Sequence, residues 1–475
     1  MSKTILHDGD EGVLLIVKDL STKRNKFIAK NGRSPVHVVY GGAHLYKAGT
    51  PKKLGKIALD SLGVYAPNFV EFAGALRLKG SETLPRFPKA IADLEKELAK
   101  KPETVRKENF PAWFAWTIYQ RTIHKLKTEP VEDFRIDFED GYGFRSDQEE
   151  DAHAVSSAEE LAKAFKTNTI TRFSGLRIKS FAPETHERAV LTLNLFLAAF
   201  LNETRNKLPQ GFAVTLPKVT DKKEVHDLCR ILAKIEKQHK LVPSSIGIEI
   251  MIETPLAILD KKGRIPLRDL AKAAKDRPVS AHFGAYDYTA SLGISADHQD
   301  LNHAACNFAR QMMQIALSPL GVRLADSVTT ELPVPVHKGE SLSQAQLNEN
   351  HHSVHSGWLR HFQNVTQSMA GGFYQSWDLH PNQLVARYAA VYSFFFEAKD
   401  AQASRLKGII QKEAQANLVG NTFDDAASAQ GLLNFFGQGL DCGAFTDEEI
   451  LESTGLNSAE LRSRSFVQLC QNRER

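Results

Sequence analysis

The stretch IGIEIMIETP, residues 246–255, decides how the chain is read. Ile246, Ile248, Ile250, Met251 and Ile252 make a near-continuous apolar run, and Glu253-Thr254-Pro255 stops it. A short apolar run closed by an acid and a proline suits a strand buried on both faces. The stretch VSAHFGAYD, residues 279–287, repeats the pattern and closes on Asp287.

Working outward, six more runs of this kind appear: Val36–Tyr40, Phe134–Phe138, Gly175–Ile178, Phe212–Leu216, Val322–Ala325 and Phe373–Trp377. After the second run, each is separated from the next by enough residues for one crossover helix, the signature of a parallel sheet. Eight strands close a barrel, so the expected fold is α/β, a (β/α)₈ TIM barrel over residues 35–390. Residues 1–34 read as an N-terminal extension. Residues 43–130 read as a helical insertion after strand one, with helices over Phe87–Lys101 and Trp113–Lys127. Residues 391–475 read as a helical C-terminal extension. Leu384–Lys399 is amphipathic, Ala403–Ala416 continues in the same style, and Thr446 is the expected N-cap of a later helix.

Bulk composition narrows the classes of function. The 60 Lys and Arg nearly balance the 56 Asp and Glu, for a net charge of +4. That argues against a nucleic-acid partner, which needs a concentrated basic stripe. No apolar run of about 18 residues appears, so no membrane span is expected. Met1–Asp10 lacks the apolar core of a signal peptide. The four cysteines form no CxxC pair, so neither a zinc knuckle nor a disulfide framework is expected, and a reduced, cytoplasmic setting fits.

In a TIM barrel the chemistry sits at the carboxyl ends of the strands. Those ends here read Tyr40-Gly41-Gly42, Asp137-Phe138-Glu139-Asp140, Arg177 with Lys179, Pro217-Lys218, Glu253, Gly284-Ala285-Tyr286-Asp287, Asp326 and Asp378-Leu379-His380. Glu253 and Asp287 lie on neighbouring runs. Converging carboxylates repel unless a cation lies between them, and a hard dication such as Mg²⁺ answers that while keeping sites for a 2-keto acid. The alternative is that each caps the helix that follows. Arg177 and Lys218 supply positive charge, and a guanidinium fork suits a substrate carboxylate. The alternative is a structural ion pair with Glu139 or Asp140, or a helix-capping role for Asp140.

Taken together, Asp137-Phe-Glu-Asp140, Leu176-Arg-Ile178, Leu216-Pro-Lys-Val219, Ile252-Glu-Thr-Pro255, Phe283-Gly-Ala-Tyr-Asp287 with Leu292-Gly293, and His380-Pro381 with Gln383 occur in that order. The set resembles the HpcH/HpaI aldolase and citrate lyase β-subunit family of the phosphoenolpyruvate/pyruvate superfamily, as a longer, divergent branch. The resemblance implies a Mg²⁺-dependent (or Mn²⁺-dependent) carbon–carbon lyase or aldolase. It would act through a metal-stabilised enolate of a 2-keto acid or acyl thioester. It further implies metal ligation by Glu253 and Asp287 and substrate binding by Arg177; Lys218, Glu139, Asp140, Gly284 and Ala285 are the other substrate-binding positions expected at the strand ends. A small organic acid or acyl-coenzyme A is the implied substrate, and a homo-oligomer the implied assembly. Citrate-lyase-like members end strand one in Val-Pro-Gly, and Tyr40-Gly41-Gly42 stands here instead, which weighs against coenzyme A recognition. Alongside Arg177, the catalytic positions expected are Asp326 and His380, and the proton acceptor is left among His44, Asp326 and His380.

Other readings stay open at this level. They are a malate-synthase-like condensing enzyme or acyl-CoA thioesterase, a Schiff-base aldolase using Lys179 or Lys218, and a non-catalytic keto-acid-binding barrel. The histidines 351, 352, 355 and 361 read as a rim or lid helix rather than a zinc site. Gly437-x-Gly439-xxx-Gly443 follows a helix, not a strand, so it reads as a helix end rather than a phosphate cradle.

Overall fold

Alternation along each strand sorts its side chains into two environments. In β5 (Gly247–Ile252), Ile248, Ile250 and Ile252 join the main apolar core beneath the surrounding helices. The intervening Glu249 and Met251 point to the barrel interior, where Met251 packs with Val38, Val328 and Trp377 from elsewhere around the barrel. This computed structural model describes residues 33–411, 417–419, 422–424, 426–462 and 469, so the N-terminal extension lies almost wholly outside the described residues.

All eight expected runs are strands: β1 (His37–Gly42), β2 (Asp133–Asp137), β3 (Phe173–Arg177), β4 (Ala213–Leu216), β5, β6 (Val279–Phe283), β7 (Arg323–Ala325) and β8 (Ser376–Trp377). They pair in the order β7-β6-β5-β4-β3-β2-β1-β8, every pairing parallel. A bridge from Ala325 to Gln375, with Asp326 N–H donating to the Gln375 carbonyl at 2.8 Å, closes the ring. Gly175 of β3 lies in register with Ala213 of β4. A Cβ there would stand 1.9 Å from the Ala213 carbonyl oxygen, so only glycine fits.

The barrel interior departs from the apolar filling that the runs suggest. Glu249 accepts from Arg135 Nε at 3.2 Å and Nη2 at 3.1 Å, Thr215 Oγ1 at 2.7 Å, Ser280 Oγ at 2.9 Å and the Tyr40 hydroxyl at 2.8 Å. Arg135 also pairs with Asp133. Glu249, Arg135, Asp133, Thr215 and Ser280 are buried, and with so many donors the Glu249 charge is sustained inside the barrel.

Five α-helices lie between β1 and β2, including Pro88–Lys100 and Phe110–Thr128. Later crossovers start where the sequence caps them. Ser146 with Glu149 and Asp221 with Glu224 form capping boxes for Asp147–Lys166 and Lys222–Gln238. The helix Gln383–Gln411 runs unbroken past residue 390, so barrel and C-terminal extension share an element. Residues 412–416, expected to continue that helix, lie outside the described residues. Thr446 caps Asp447–Thr454 in a capping box with Glu449. The glycine stretch sits at the end of helix Ala426–Asp441, with Gly443 in the turn at φ +68°. Among the described residues, no helix is long and apolar enough to cross a membrane.

Candidate active site at the carboxyl ends of the strands

Glu253 immediately follows β5, and Asp287 lies in the first turn of the helix Ala285–Ser291 that follows β6. Because β5 and β6 are hydrogen-bonded neighbours, both carboxyl groups reach one cavity of about 300 Å³, which Arg177, Asp137, Asp140 and Gly284 also line. Neither acid is a helix cap: Thr254 caps the turn after β5, and Gly284 occupies the cap position after β6. A larger hollow of about 680 Å³ lies at the opposite end of the barrel, before β5 and β6. Its Lys240 and Lys275 follow the C-termini of two helices, where positive charge complements the helix dipole.

Glu253 is buried, and its Oε1 accepts the Lys218 backbone N–H at 2.6 Å. Lys218 holds a left-handed backbone, φ +53°, which costs a non-glycine residue of the order of 1 kcal/mol and here aims its N–H at the acid. Gly284 leaves room on the other side, since a Cβ there would lie 2.5 Å from Glu253 Oε2. Burial, and then the neighbouring Asp287, push the Glu253 carboxyl up to about 8, against the pull of Arg177. The same two groups suit a divalent cation, which would offset both the burial and the repulsion. Among the described residues no three of His, Cys, Asp and Glu converge as ligands. Two carboxylates are enough for Mg²⁺, which keeps most of its octahedral shell for water and substrate.

Arg177 ends β3, and Asp137 ends β2 directly opposite it in register. Asp137 takes two of its donors, Nε at 2.7 Å and Nη2 at 2.6 Å, and fixes the guanidinium plane. Tyr40 lies against that plane, with the guanidinium carbon 4.8 Å from the ring centre. Nη1 faces Glu139 at 3.1 Å and Asp140 at 3.4 Å. Lys218 Nζ also pairs with Glu139, and with Asp140 at 3.1 Å. Burial pushes Glu139 up to about 6. Burial acts the same way on Asp140, but Arg177 overrides it and holds that carboxyl below its ordinary value. Glu139 and Lys218 thus adjoin the cavity through their partners. The Ala285 backbone N–H is turned to Ser327 Oγ at 3.0 Å.

The three candidate proton acceptors do not line the cavity. Asp326 is buried beneath the rim, held by Arg310 Nη1 at 2.9 Å, Ser368 Oγ at 2.5 Å and the Ser327 N–H at 2.9 Å. Its side chain ties β7 to two helices, because a strand-end position fixes which end of the barrel a residue occupies but not which way its side chain turns. His380 is half-buried and accepts the Asn382 N–H at 3.2 Å, and burial lowers its pKa. His44 packs on Tyr142 and His153, and burial lowers its pKa as well. The later histidines do not share a centre. His351 and His355 meet Tyr65, while His361 reaches Asp378 at 2.8 Å. Lys179 Nζ is held by the Phe138 carbonyl at 2.9 Å and by Glu150 at 2.9 Å.

Tyr40, Trp377 and Asp378 also line the cavity. All three stand at the ends of predicted strands, yet nothing in their spacing announces the partners that fix them. The charge of Asp378 is taken by His37 Nδ1 at 2.6 Å, His361 and Arg387 Nη2 at 2.7 Å.

The architecture is similar to that of a citrate lyase from Burkholderia xenovorans, at 17% identity and TM-score 0.50, covering 74% of this chain and 92% of that one. A malate synthase from Haloferax volcanii aligns at 14% identity and TM-score 0.41, covering 70% of this chain and 88% of the other. At these identities the likeness concerns the fold. No curated protein matches the sequence. A family profile matches residues 19–469, nearly the whole chain, and the protein therefore belongs to the family described as a domain of unknown function, DUF6986.

Proposed function

We propose that this protein is a divalent-cation-dependent carbon–carbon lyase or aldolase that acts on a small 2-oxo acid, in the cleavage or the condensing direction. One observation carries the reading: Glu253, Asp287 and Arg177 line a single cavity at the carboxyl end of the barrel. Mg²⁺ or Mn²⁺ held by Glu253 and Asp287 would supply Lewis acidity toward the keto and carboxylate oxygens of the substrate.

The chain's own residues account for orientation. Asp137 and Tyr40 fix the plane of Arg177, and a substrate carboxylate takes Nη1 by displacing Asp140, whose side chain is 57% exposed. In the cleavage direction the C4 hydroxyl of a 4-hydroxy-2-oxo acid loses its proton and the C3–C4 bond breaks. The electron pair passes to the pyruvate half, which takes up a proton at C3, and the other half leaves as a carbonyl compound. Arg177 holds the polar end in place with little reorganisation, and the Lys218 N–H keeps Glu253 oriented beside it. A Schiff-base route fits less well. Lys218 is held protonated by Glu139, its pKa raised, and Lys179 is engaged by Glu150.

The test is exchange of the C3 protons of pyruvate with D₂O, followed by NMR. Exchange is expected with Mg²⁺ or Mn²⁺, abolished by EDTA, and slowed at least about a hundredfold in Asp287→Ala. Metal-independent exchange, or covalent trapping of pyruvate by borohydride, would favour the lysine route. A complete lack of exchange with pyruvate bound would favour a non-catalytic barrel.

A further inference from the structure

Two walls of different chemistry meet in the cavity. The charged wall comes from β2, β3 and the segments after β5 and β6. The other comes from β1, β8 and the segments after β7 and β8, and presents Tyr40, Trp377, Val328 and Leu379, with Tyr286 beside them. Val328 and Trp377 belong to a small apolar cluster inside the barrel, separate from the main core, and Tyr40 and Tyr286 pack against it.

The polar tips on this second wall are already engaged. The Tyr40 hydroxyl donates to Glu249 at 2.8 Å, and the Tyr286 hydroxyl bonds Thr330 Oγ1 at 3.1 Å. Asp378 is enclosed by His37, His361 and Arg387. Trp377 is the exception. It is only 9% exposed, and its indole Nε1 is buried with no acceptor among the described residues. That nitrogen is closed off from the cavity, so this wall meets a ligand with the carbon atoms of the ring.

We propose that the half of the substrate released as a carbonyl compound carries an apolar group, aromatic or branched aliphatic, seated on the Trp377–Val328–Leu379 wall. The inference rests on the 2-oxo acid reading above. In cleavage the proton leaves the C4 hydroxyl, the C3–C4 electron pair moves to the pyruvate half, and C4 becomes an aldehyde carbonyl. Among the described residues, a carboxylate or phosphate on C4 would meet no available cation on this wall, since Arg387 is committed to Asp378.

Two measurements test this. The first is calorimetric binding, with Mg²⁺ present, of two acids that cannot be cleaved: 2-oxo-4-phenylbutanoate and 2-oxoglutarate. The phenyl acid should bind at least about tenfold more tightly, and Trp377→Ala should erase the difference. The second is pyruvate release from 4-hydroxy-2-oxo-4-phenylbutanoate. Its kcat/KM should stay within about threefold in Trp377→Phe, which keeps an apolar ring, and fall at least about tenfold in Trp377→Ala. Equal or tighter binding of 2-oxoglutarate, or an unchanged kcat/KM in Trp377→Ala, would overturn the apolar wall. Pyruvate exchange in the same wild-type preparation reports separately on the underlying reading. Exchange without a phenyl preference defeats this inference alone, and no exchange defeats the reading beneath it.

Discussion

Glu253 gathers the opposing forces of the site at one residue. Burial and Asp287 hold its carboxyl at about 8, so the folded chain retains a proton that the unfolded chain releases near the ordinary carboxylate value. The stability this contributes is present at acid pH and is lost as pH rises through about 8. A cation that needs the ionised carboxylate binds better over the same range. The Mg²⁺-induced rise in Tm should therefore be larger at pH 8.5 than at pH 6, as read by scanning calorimetry. An equal rise at both would separate the cation from Glu253. Gly284→Ala tests the space around the same group. Its Cβ would fall 2.6 Å from Glu253 Cβ, and the acid must move. Mg²⁺ affinity should drop at least about tenfold by titration calorimetry with the circular dichroism spectrum kept. Glu253 and Asp287 are legible in the sequence because adjacent strand ends bring side chains to one place. Asp326 reads the same way, yet Arg310 and Ser368 claim it from helices that no local pattern links to β7.

Among the elements, β8 depends most on partners distant in sequence. It is only two residues long in regular pairing, and Asp378 just beyond it ties His37 of β1 to His361 of the helix Gln344–Ala370 and Arg387 of the helix Gln383–Gln411. Burial would raise the Asp378 carboxyl, but Arg387 prevails and holds it well below the ordinary range. Asp378→Ala leaves the Arg387 guanidinium buried without its counter-charge. A loss of about 3–5 kcal/mol is expected in urea unfolding. A loss under about 1 kcal/mol would mean the knot is not what secures β8. The strands themselves were readable because apolar runs of strand length recur between helical patterns. The polar filling of the barrel was not. Glu249 and Arg135 look like interruptions in apolar runs until β2 and β5 face each other across the interior.

At the scale of the molecule, the C-terminal extension is part of the packing of the barrel's own last helix. Phe445 lies with ring centres 5.5 Å from Phe395 and 5.5 Å from Phe396, and it also meets Phe435 and Phe436 of the helix Ala426–Asp441. Gly439 makes room, since a Cβ there would stand 2.4 Å from the Phe445 ring. Phe445→Ala should cost about 3–5 kcal/mol and lower Tm for barrel and extension together in one transition. Two separated transitions would show that the extension melts by itself. A boundary at residue 390 is reasonable from the strand count, because the barrel's last crossover ends the repeating pattern there. The shared helix and its aromatic face become visible only once the chain is folded.

The measurement that bears most directly on the account is a crystal structure with Mn²⁺ and oxalate bound, using the anomalous signal of the metal. The account predicts one peak in the cavity, with one oxygen each of Glu253 and Asp287 at about 2.1 Å and oxalate chelating the same ion toward Arg177. A peak held by other side chains, or oxalate bound at Arg177 with no metal beside Glu253 and Asp287, would contradict it.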